Sequence, residues 1–186
     1  MEKERKQNIL KAAEKRFSRH GLNKTTLNEI ARDLRIGKAT IYHYFTTKED
    51  LFFKTIEWEI DLYIEELKSI FSSEQASIKE KLVEYFNLKL SLYTKYKLIY
   101  EVLFCAMKEE VSEREALLVK MLFDKEIDFL KQYLPGKKEQ QNEAAYIIVL
   151  SSWGEMFSNK IKAAISPDKN ISKDYLTRFV ESCFFN

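Results

Sequence analysis

The sequence contains few of the residues that make sharp turns. Only four glycines and two prolines occur in 186 residues. A fold rich in β-strands needs many tight turns, and such turns draw heavily on these two residue types. Most of the chain instead repeats apolar residues at the three- and four-residue spacing of amphipathic helices. The sequence therefore predicts an all-α protein of about nine helices.

Cysteine and histidine are equally scarce. Cys105 and Cys183 lie far apart in apolar surroundings and match no metal-ligand spacing, so we interpret both as core residues of a protein from a reducing compartment. The two histidines, His20 and His43, lie in or beside one short motif that offers His43 no catalytic partner. There is also no glycine-rich phosphate loop. We therefore expect no enzyme activity, no cofactor and no metal.

Long apolar runs are missing as well. A membrane helix requires about 18 consecutive apolar residues, and the chain has no such run. Residues 1–11 are charged and lack the apolar segment of a signal peptide. The expected location is the cytoplasm, with no membrane partner.

Neither sign of charge is in large excess, but the charge is unevenly distributed. The formal net charge is +2. Residues 1–50 contain twelve Lys or Arg against seven Asp or Glu, whereas residues 51–186 contain nineteen against twenty-two. The N-terminal part is therefore the basic part, as a phosphate-binding module requires.

The basic region contains a motif of two short helices, Thr25–Phe45. Thr26 and Glu29 have the spacing of a capping box at the start of the first helix. Its apolar residues share one face: Leu27, Ile30, Ala31 and Leu34. The short link Arg35–Gly37 leaves room only for a sharp reversal before a second helix, Lys38–Tyr44. Two helices joined in this way form a helix-turn-helix, whose second helix enters a DNA major groove.

Three consecutive segments resemble the DNA-binding head of the TetR family of transcriptional regulators. They are FSRHGLNKTT at the end of a basic first helix, LNEIARDLRIGKATIYHYF, and TKEDLF at the start of a long helix. The resemblance covers residues 6–53 without insertions and implies a DNA-binding domain in residues 1–47 and a ligand-binding and dimerisation domain in residues 48–186. Arg35 stands where relatives commonly have glycine. Gly37 stands where they often have serine, and we expect its backbone freedom to cap the helix weakly.

The resemblance also implies which residues contact DNA. They are Thr26, Lys38, Ala39, Thr40, Tyr42, His43, Tyr44 and Lys48. Thr26 and Lys48 lie at helix starts, where the backbone N–H groups favour a phosphate. Lys38 and Thr40 would reach base edges or flanking phosphates. For the two tyrosines of this set, packing within the protein is the alternative.

Six further helices follow the motif. The predicted ranges are Lys48–Phe71, Ile78–Tyr96, Leu98–Met107, Glu113–Tyr133, Lys138–Ala164 and Lys173–Phe185. Three more capping boxes are predicted, at Thr46 with Glu49, Ser77 with Glu80 and Ser112 with Glu115.

The helix predicted from Lys138 has a stripe of bulky residues and a stripe of smaller ones, which suggests two neighbours. In TetR-like proteins the last two helices pair with those of a second subunit. The resemblance therefore implies a homodimer interface at Ala145, Ile148, Ser152, Met156, Leu176, Phe179, Val180 and Cys183. The alternative is that both stripes are buried within one chain. A two-fold dimer would also place its recognition helices one helical turn apart on a palindromic operator.

The C-terminal part contains many aromatic residues, which suits a cavity for a small hydrophobic or aromatic ligand. The expected walls are Phe86, Leu90, Tyr93, Phe104, Trp153 and Phe157. No charged cluster indicates a headgroup. We therefore expect a homodimeric repressor that binds double-stranded DNA and is released by such a ligand. A helical sensor or scaffold without DNA-binding activity is the alternative.

Overall fold

The computed structural model describes residues 2–106, 111–165 and 173–184. These residues form nine α-helices and one 3₁₀ turn, and no strand occurs among them. The helices are α1 Glu2–Lys24, α2 Leu27–Asp33, α3 Lys38–Tyr44, α4 Lys48–Phe71, α5 Ile78–Lys95, α6 Lys97–Ala106, α7 Glu113–Leu130, α8 Lys138–Ile165 and α9 Lys173–Phe184, with the 3₁₀ turn at Lys131–Tyr133. The all-α prediction is confirmed. None of these helices, within the described ranges, is long and apolar enough to cross a membrane.

The chain forms two compact units. The first contains the described residues of Met1–Leu62 and Tyr96–Val111, and the second contains those of Tyr63–Lys95 and Ser112–Asn186. Helix α4 runs without a break from Lys48 to Phe71 and therefore has residues in both units.

In the first unit, α1 packs against α2 and α6, and α2 packs against α3. The fully buried side chains of these first helices include Ile9, Phe17, Ile30 and Ile41. Gly21 interrupts α1 with a φ of 73°, a conformation that glycine adopts at little cost. The Thr25 hydroxyl then donates a hydrogen bond to the Gly21 carbonyl at 2.9 Å and holds the break in place.

Most helix starts are capped as the sequence predicts, but the start of α4 differs. The boxes formed by Thr26 with Glu29, Ser77 with Glu80 and Ser112 with Glu115 are all present. At α4 the expected pair of Thr46 and Glu49 is wrong, because the Asp50 N–H bonds to the Thr47 hydroxyl at 2.9 Å. The segment TTKED satisfies the threonine-to-acid spacing in two registers, and the helix uses the later one.

In the second unit, α5 packs against α8 and α9, and α7 packs against α8. Six residues predicted for a dimer interface are buried inside this unit of a single chain: Ala145, Ile148, Ser152, Met156, Leu176 and Val180. The side chains of Phe179 and Cys183 lie outside the described part of the structure. The six buried residues have no surface to offer a second chain, so the predicted interface is wrong at these positions. Small residues such as Ala145 and Ser152 suit the close approach of helices within the chain.

Candidate nucleic-acid interface

The helix-turn-helix is built by short-range hydrogen bonds. The Thr26 side chain accepts the Glu29 N–H, and the Glu29 carboxylate accepts the Thr26 N–H at 2.9 Å. After α2, the Ile36 N–H donates to the Ala31 carbonyl at 3.0 Å and folds the chain back. The Gly37 carbonyl then accepts the Thr40 N–H at 2.9 Å, which begins α3.

Arg35 carries the unusual backbone of this turn. Its φ is 54°, in the left-handed region that glycine adopts at little cost, whereas Gly37 has an ordinary extended φ of −74°. Gly37 is the N-cap of α3, as expected, but its backbone is ordinary and does not use the conformational freedom of glycine. The strained position is Arg35, where the family resemblance expects glycine.

Replacing this arginine is expected to stabilise the protein. Arg35→Gly should raise the free energy of unfolding by about 0.5–1 kcal/mol, because relief of the left-handed strain exceeds the extra entropy of an unfolded glycine. Arg32→Gly, in helical backbone three residues earlier, should instead lower it by about 1 kcal/mol. Urea unfolding of both variants measures the difference. Equal destabilisation by both would contradict the assignment of strain to Arg35.

Helix α3 presents most of its predicted DNA-contacting side chains to solvent. Lys38, Ala39, Tyr42 and His43 are exposed, and Thr40 is half-buried. Ile41, on the opposite face, is fully buried. The Lys38 ammonium lies 5.4 Å from the centre of the Tyr42 ring, so one cation and one aromatic ring share the exposed face. Tyr42 is 48% exposed, so it does not take the packed alternative.

Tyr44 has a different environment. It is half-buried, and its ring meets the His43 ring edge-on with 5.0 Å between their centres. Tyr44 also lines an open groove of about 630 Å³ beside the N-terminal turns of α1. The other lining residues are Glu2, Glu4, Arg5, Asn8, Ile9, Leu34 and Ile36. Tyr44 thus combines packing with partial access to solvent.

Thr26 and Lys48 both have partners within the protein. The Thr26 hydroxyl donates to the Glu29 carboxylate at 2.8 Å. The Lys48 ammonium donates to the Leu22 carbonyl at 2.9 Å and thereby anchors the chain that follows the Gly21 break. A substitution at either position would alter the fold locally as well as any DNA contact.

An ion pair that the sequence does not suggest ties α1 to α2. Arg16 donates two hydrogen bonds to the Asp33 carboxylate, both at 2.6 Å. The hydrogen bond from Arg16 holds the pKa of Asp33 below its usual value. The two residues are seventeen positions apart, and nothing in the helical spacing links them. Their pairing fixes how the first helix supports the helix-turn-helix.

The six residues predicted to wall a ligand cavity have dissimilar environments. Phe86 and Trp153 are buried, and Leu90 and Phe157 are half-buried. Tyr93 is 54% exposed and Phe104 is 45% exposed, and Phe104 belongs to the first unit. Tyr93 and Phe104 are therefore not walls of an enclosed cavity, and that part of the prediction is wrong.

The second unit instead contains a buried ion pair, which the sequence analysis does not identify. Lys89 on α5 and Glu126 on α7 are both fully buried, and the lysine Nζ pairs with the Glu126 Oε1. The Tyr63 hydroxyl of α4 donates to the same oxygen, and the Trp153 indole of α8 donates to Oε2 at 3.1 Å. Four helices meet at this carboxylate.

Aromatic rings surround the ammonium of this pair. The Lys89 Nζ lies 3.6 Å from the centre of the Trp153 ring and 5.2 Å from those of Tyr63 and Tyr85. The Tyr85 hydroxyl is held by Ser152 at 2.9 Å. Burial lowers the pKa of Lys89 to about 8, although Glu126 opposes this shift. We call Tyr63, Tyr85, Trp153 and Glu126 the ammonium cage.

A second buried carboxylate lies in the first unit. Glu59 on α4 is 2% exposed, and it accepts the Ile99 N–H of α6 at 2.7 Å. It therefore caps the start of α6 from a neighbouring helix. Burial raises the pKa of Glu59 to about 8, against the opposing effect of the backbone hydrogen bond from Ile99.

The N-terminal part of the chain matches a family model described as bacterial regulatory proteins, tetR family, over residues 9–55. Residues 9–55 therefore form a domain of the tetR family of bacterial regulatory proteins. An HTH-type transcriptional regulator of Staphylococcus aureus strain USA300 is 37% identical over 68 residues. That alignment covers 37% of this chain and 37% of the staphylococcal protein, so it spans little more than a third of the relative's length.

Solved structures extend the similarity in fold to nearly the whole chain. A transcriptional regulator from Cytophaga hutchinsonii is 26% identical, with a TM-score of 0.65, and the match covers 94% of this chain and 91% of that one. AibR, solved with isovaleryl coenzyme A and operator DNA, is 20% identical, with a TM-score of 0.56 and coverage of 97% and 98%. At such low identity the AibR match shows the fold alone.

Proposed function

We propose that this chain is a TetR-family transcriptional regulator that binds a palindromic DNA operator as a homodimer, represses from it and is released by a small ligand. The observation that carries the proposal is α3, which follows a capped α2 and presents Lys38, Tyr42 and His43 on an exposed face. An exposed helix with a cation and aromatic groups suits contact with base edges and phosphates in a major groove. The AibR structure, which holds operator DNA, supports the same use of the fold.

The DNA contact is tested most cleanly at Lys38, because its side chain is exposed and is not part of the core. Lys38→Ala should weaken binding to an operator fragment about tenfold and reduce the slope of log affinity against log salt by about 1. Operator fragments are first selected from genomic DNA by the purified protein, and affinity is then measured by fluorescence anisotropy at several salt concentrations.

Lys120→Ala is the matched control for Lys38→Ala. Lys120 is an exposed lysine on α7 that pairs with Asp124, so its loss should leave DNA affinity and the salt slope unchanged. If Lys38→Ala binds like the wild type, another surface contacts DNA. If no fragment is retained by the wild type, the alternative of a helical sensor without DNA-binding activity gains support.

The homodimer is proposed to use the exposed face of α8. Tyr146, Ile147 and Leu150 are 52%, 55% and 43% exposed, which is unusual for such large apolar side chains on one helix. Leu117 on α7 is 65% exposed and adds to the apolar surface of the second unit. Contiguous exposed apolar side chains favour association with another protein surface. A second copy would supply the two-fold symmetry that a palindromic operator requires.

Ligand release is proposed to act through α4. This single helix continues from the first unit into the second, where its Tyr63 contributes to the ammonium cage. A ligand that binds better to one position of α4 than to another would shift the equilibrium between DNA-binding and released states. AibR, solved with isovaleryl coenzyme A, supports ligand binding by this fold.

A further inference from the structure

We infer that the ammonium cage is the recognition site for the headgroup of a small organic cation with a methylated ammonium, and that Lys89 occupies this site when the cation is absent. The inference rests on the proposed function, because it names the chemical class of the releasing ligand. It uses only residues of the second unit, contributed by α4, α5, α7 and α8.

The arrangement of aromatic rings favours a cation. The centres of three aromatic rings lie 3.6 to 5.2 Å from the Lys89 Nζ. The faces of Trp and Tyr rings attract a cation electrostatically, and the attraction is strongest where water is excluded. All three rings are buried, so a cation at this point is shielded from water.

The arrangement around Glu126 favours a cationic guest over an anionic one. In addition to the ion pair with Lys89, its two oxygens accept hydrogen bonds from the Tyr63 hydroxyl and the Trp153 indole. These neutral donors would continue to hold the carboxylate if the lysine ammonium left. A guest carboxylate would instead have to expel Glu126 from a position that several helices fix. Glu126 is thus the fixed counter-charge and Lys89 the replaceable ion.

Displacement of Lys89 is chemically reasonable. The lysine ammonium is carried on a flexible four-carbon stem, whereas the rings and the carboxylate around it are held by packing and hydrogen bonds. Burial shifts its pKa to about 8, so near neutral pH the uncharged amine forms far more readily than on an exposed lysine. An uncharged amine is held less strongly by the rings and by Glu126. A quaternary ammonium keeps its charge and therefore competes for the same place.

Removal of the resident ammonium tests the site directly. Lys89→Met should bind tetramethylammonium chloride at least tenfold more tightly than the wild type, because it removes the resident ammonium group and leaves Glu126 without its counter-ion. Lys89→Met combined with Glu126→Gln should lose this binding. Isothermal titration calorimetry at constant ionic strength, with sodium chloride and tert-butanol as reference solutes, separates binding of the cation from effects of salt or of a neutral molecule of similar shape. Equal binding by the single and double variants would overturn the inference, as would tighter binding of sodium acetate than of tetramethylammonium.

A second measurement covers the case in which Lys89→Met fails to fold. The chain has two tryptophans, so Trp58→Phe leaves Trp153 as the single fluorescent reporter in a protein with an intact Lys89. Titration with tetramethylammonium should change the fluorescence emission of Trp153 until the change saturates, and tert-butanol should not change this emission. Adding Glu126→Gln should remove the effect. A linear response that persists in the Glu126→Gln protein would contradict a site at the cage.

The effect on DNA separates this inference from the proposed function. Tetramethylammonium at saturation should lower operator affinity about fivefold or more. Binding at the cage with unchanged operator affinity would support the cation site and contradict ligand release. A third outcome is that tetramethylammonium binds in neither assay, while operator binding is intact and depends on Lys38. This outcome would overturn the cation site and leave the DNA-binding part of the proposal standing.

Discussion

Lys89→Met is expected to lower the free energy of unfolding by about 3–5 kcal/mol in the absence of an added cation. Methionine has a similar length and can fill the space of the lysine stem, so the main loss is electrostatic. Glu126 is fully buried, and without Lys89 its negative charge is balanced only by neutral hydrogen-bond donors. Breaking one side of a buried pair costs much more than removing both charges.

A double-mutant cycle measures this difference. The variant Lys89→Met with Glu126→Gln should recover most of the stability that Lys89→Met loses, because no unpaired charge stays buried. Urea unfolding at pH 7 of the wild type, both single variants and the double variant gives the coupling energy. Additive losses in the cycle would mean that the two charges do not stabilise each other. As a surface control, Lys120→Met should change stability by less than about 0.5 kcal/mol, since it removes only an exposed pair with Asp124.

The helices and the helix-turn-helix could be predicted because their signals are local. A capping box spans four residues, and the break in α1 at Gly21 depends on the conformational freedom of one residue. Helical spacing likewise identifies a buried face without reference to the rest of the chain. The start of α4 shows how precisely such signals can place the first residue of a helix. Thr46 and Thr47 each stand three residues before an acid, so spacing alone cannot choose the register.

The ammonium cage was missed although part of its signal is present in the sequence. Lys89 lies on the same helical stripe as Leu82, Tyr85 and Leu92, and Glu126 lies between Leu122 and Phe129. Each of these two apolar stripes contains one charged residue, and the two charges have opposite signs. This pattern is a reason to expect a buried ion pair. The choice of partners depends on which helices face each other, and that is decided by tertiary packing rather than by the spacing within either helix.

The faces of α8 could not be assigned for a related reason. Helical spacing identifies its two apolar stripes, but small residues suit close packing against helices of the same chain as well as against a second chain. The structure buries Ala145 and Ser152 internally and exposes Tyr146 and Leu150. Bulky residues thus form the surface that we propose for the homodimer, because the close contacts inside the second unit require the small ones.

Glu59→Gln is expected to be more stable than the wild type at neutral and alkaline pH. This gain in stability should shrink as the pH becomes acidic. Burial raises the pKa of Glu59 from 4.5 to about 8 in the folded chain. Between these values the unfolded chain releases the proton while the folded chain keeps it, so the wild type loses stability as the pH rises. This loss should be on the order of 2 to 3 kcal/mol between pH 5 and pH 7.5. Below pH 4.5 both states are protonated and the group has no such effect.

Glutamine removes the ionisation and keeps an oxygen that can accept the Ile99 N–H, so the cap on α6 is retained. The stability difference between Glu59→Gln and the wild type should therefore grow from pH 5 to pH 7.5 in urea unfolding. Glu57→Gln is the matched control, because Glu57 lies on the same helix and pairs with Lys54 near the surface. Its difference from the wild type should stay small across this range. A constant difference for Glu59→Gln would show that Glu59 is ionised in the folded chain at neutral pH, with the amide groups at the start of α6 compensating its charge.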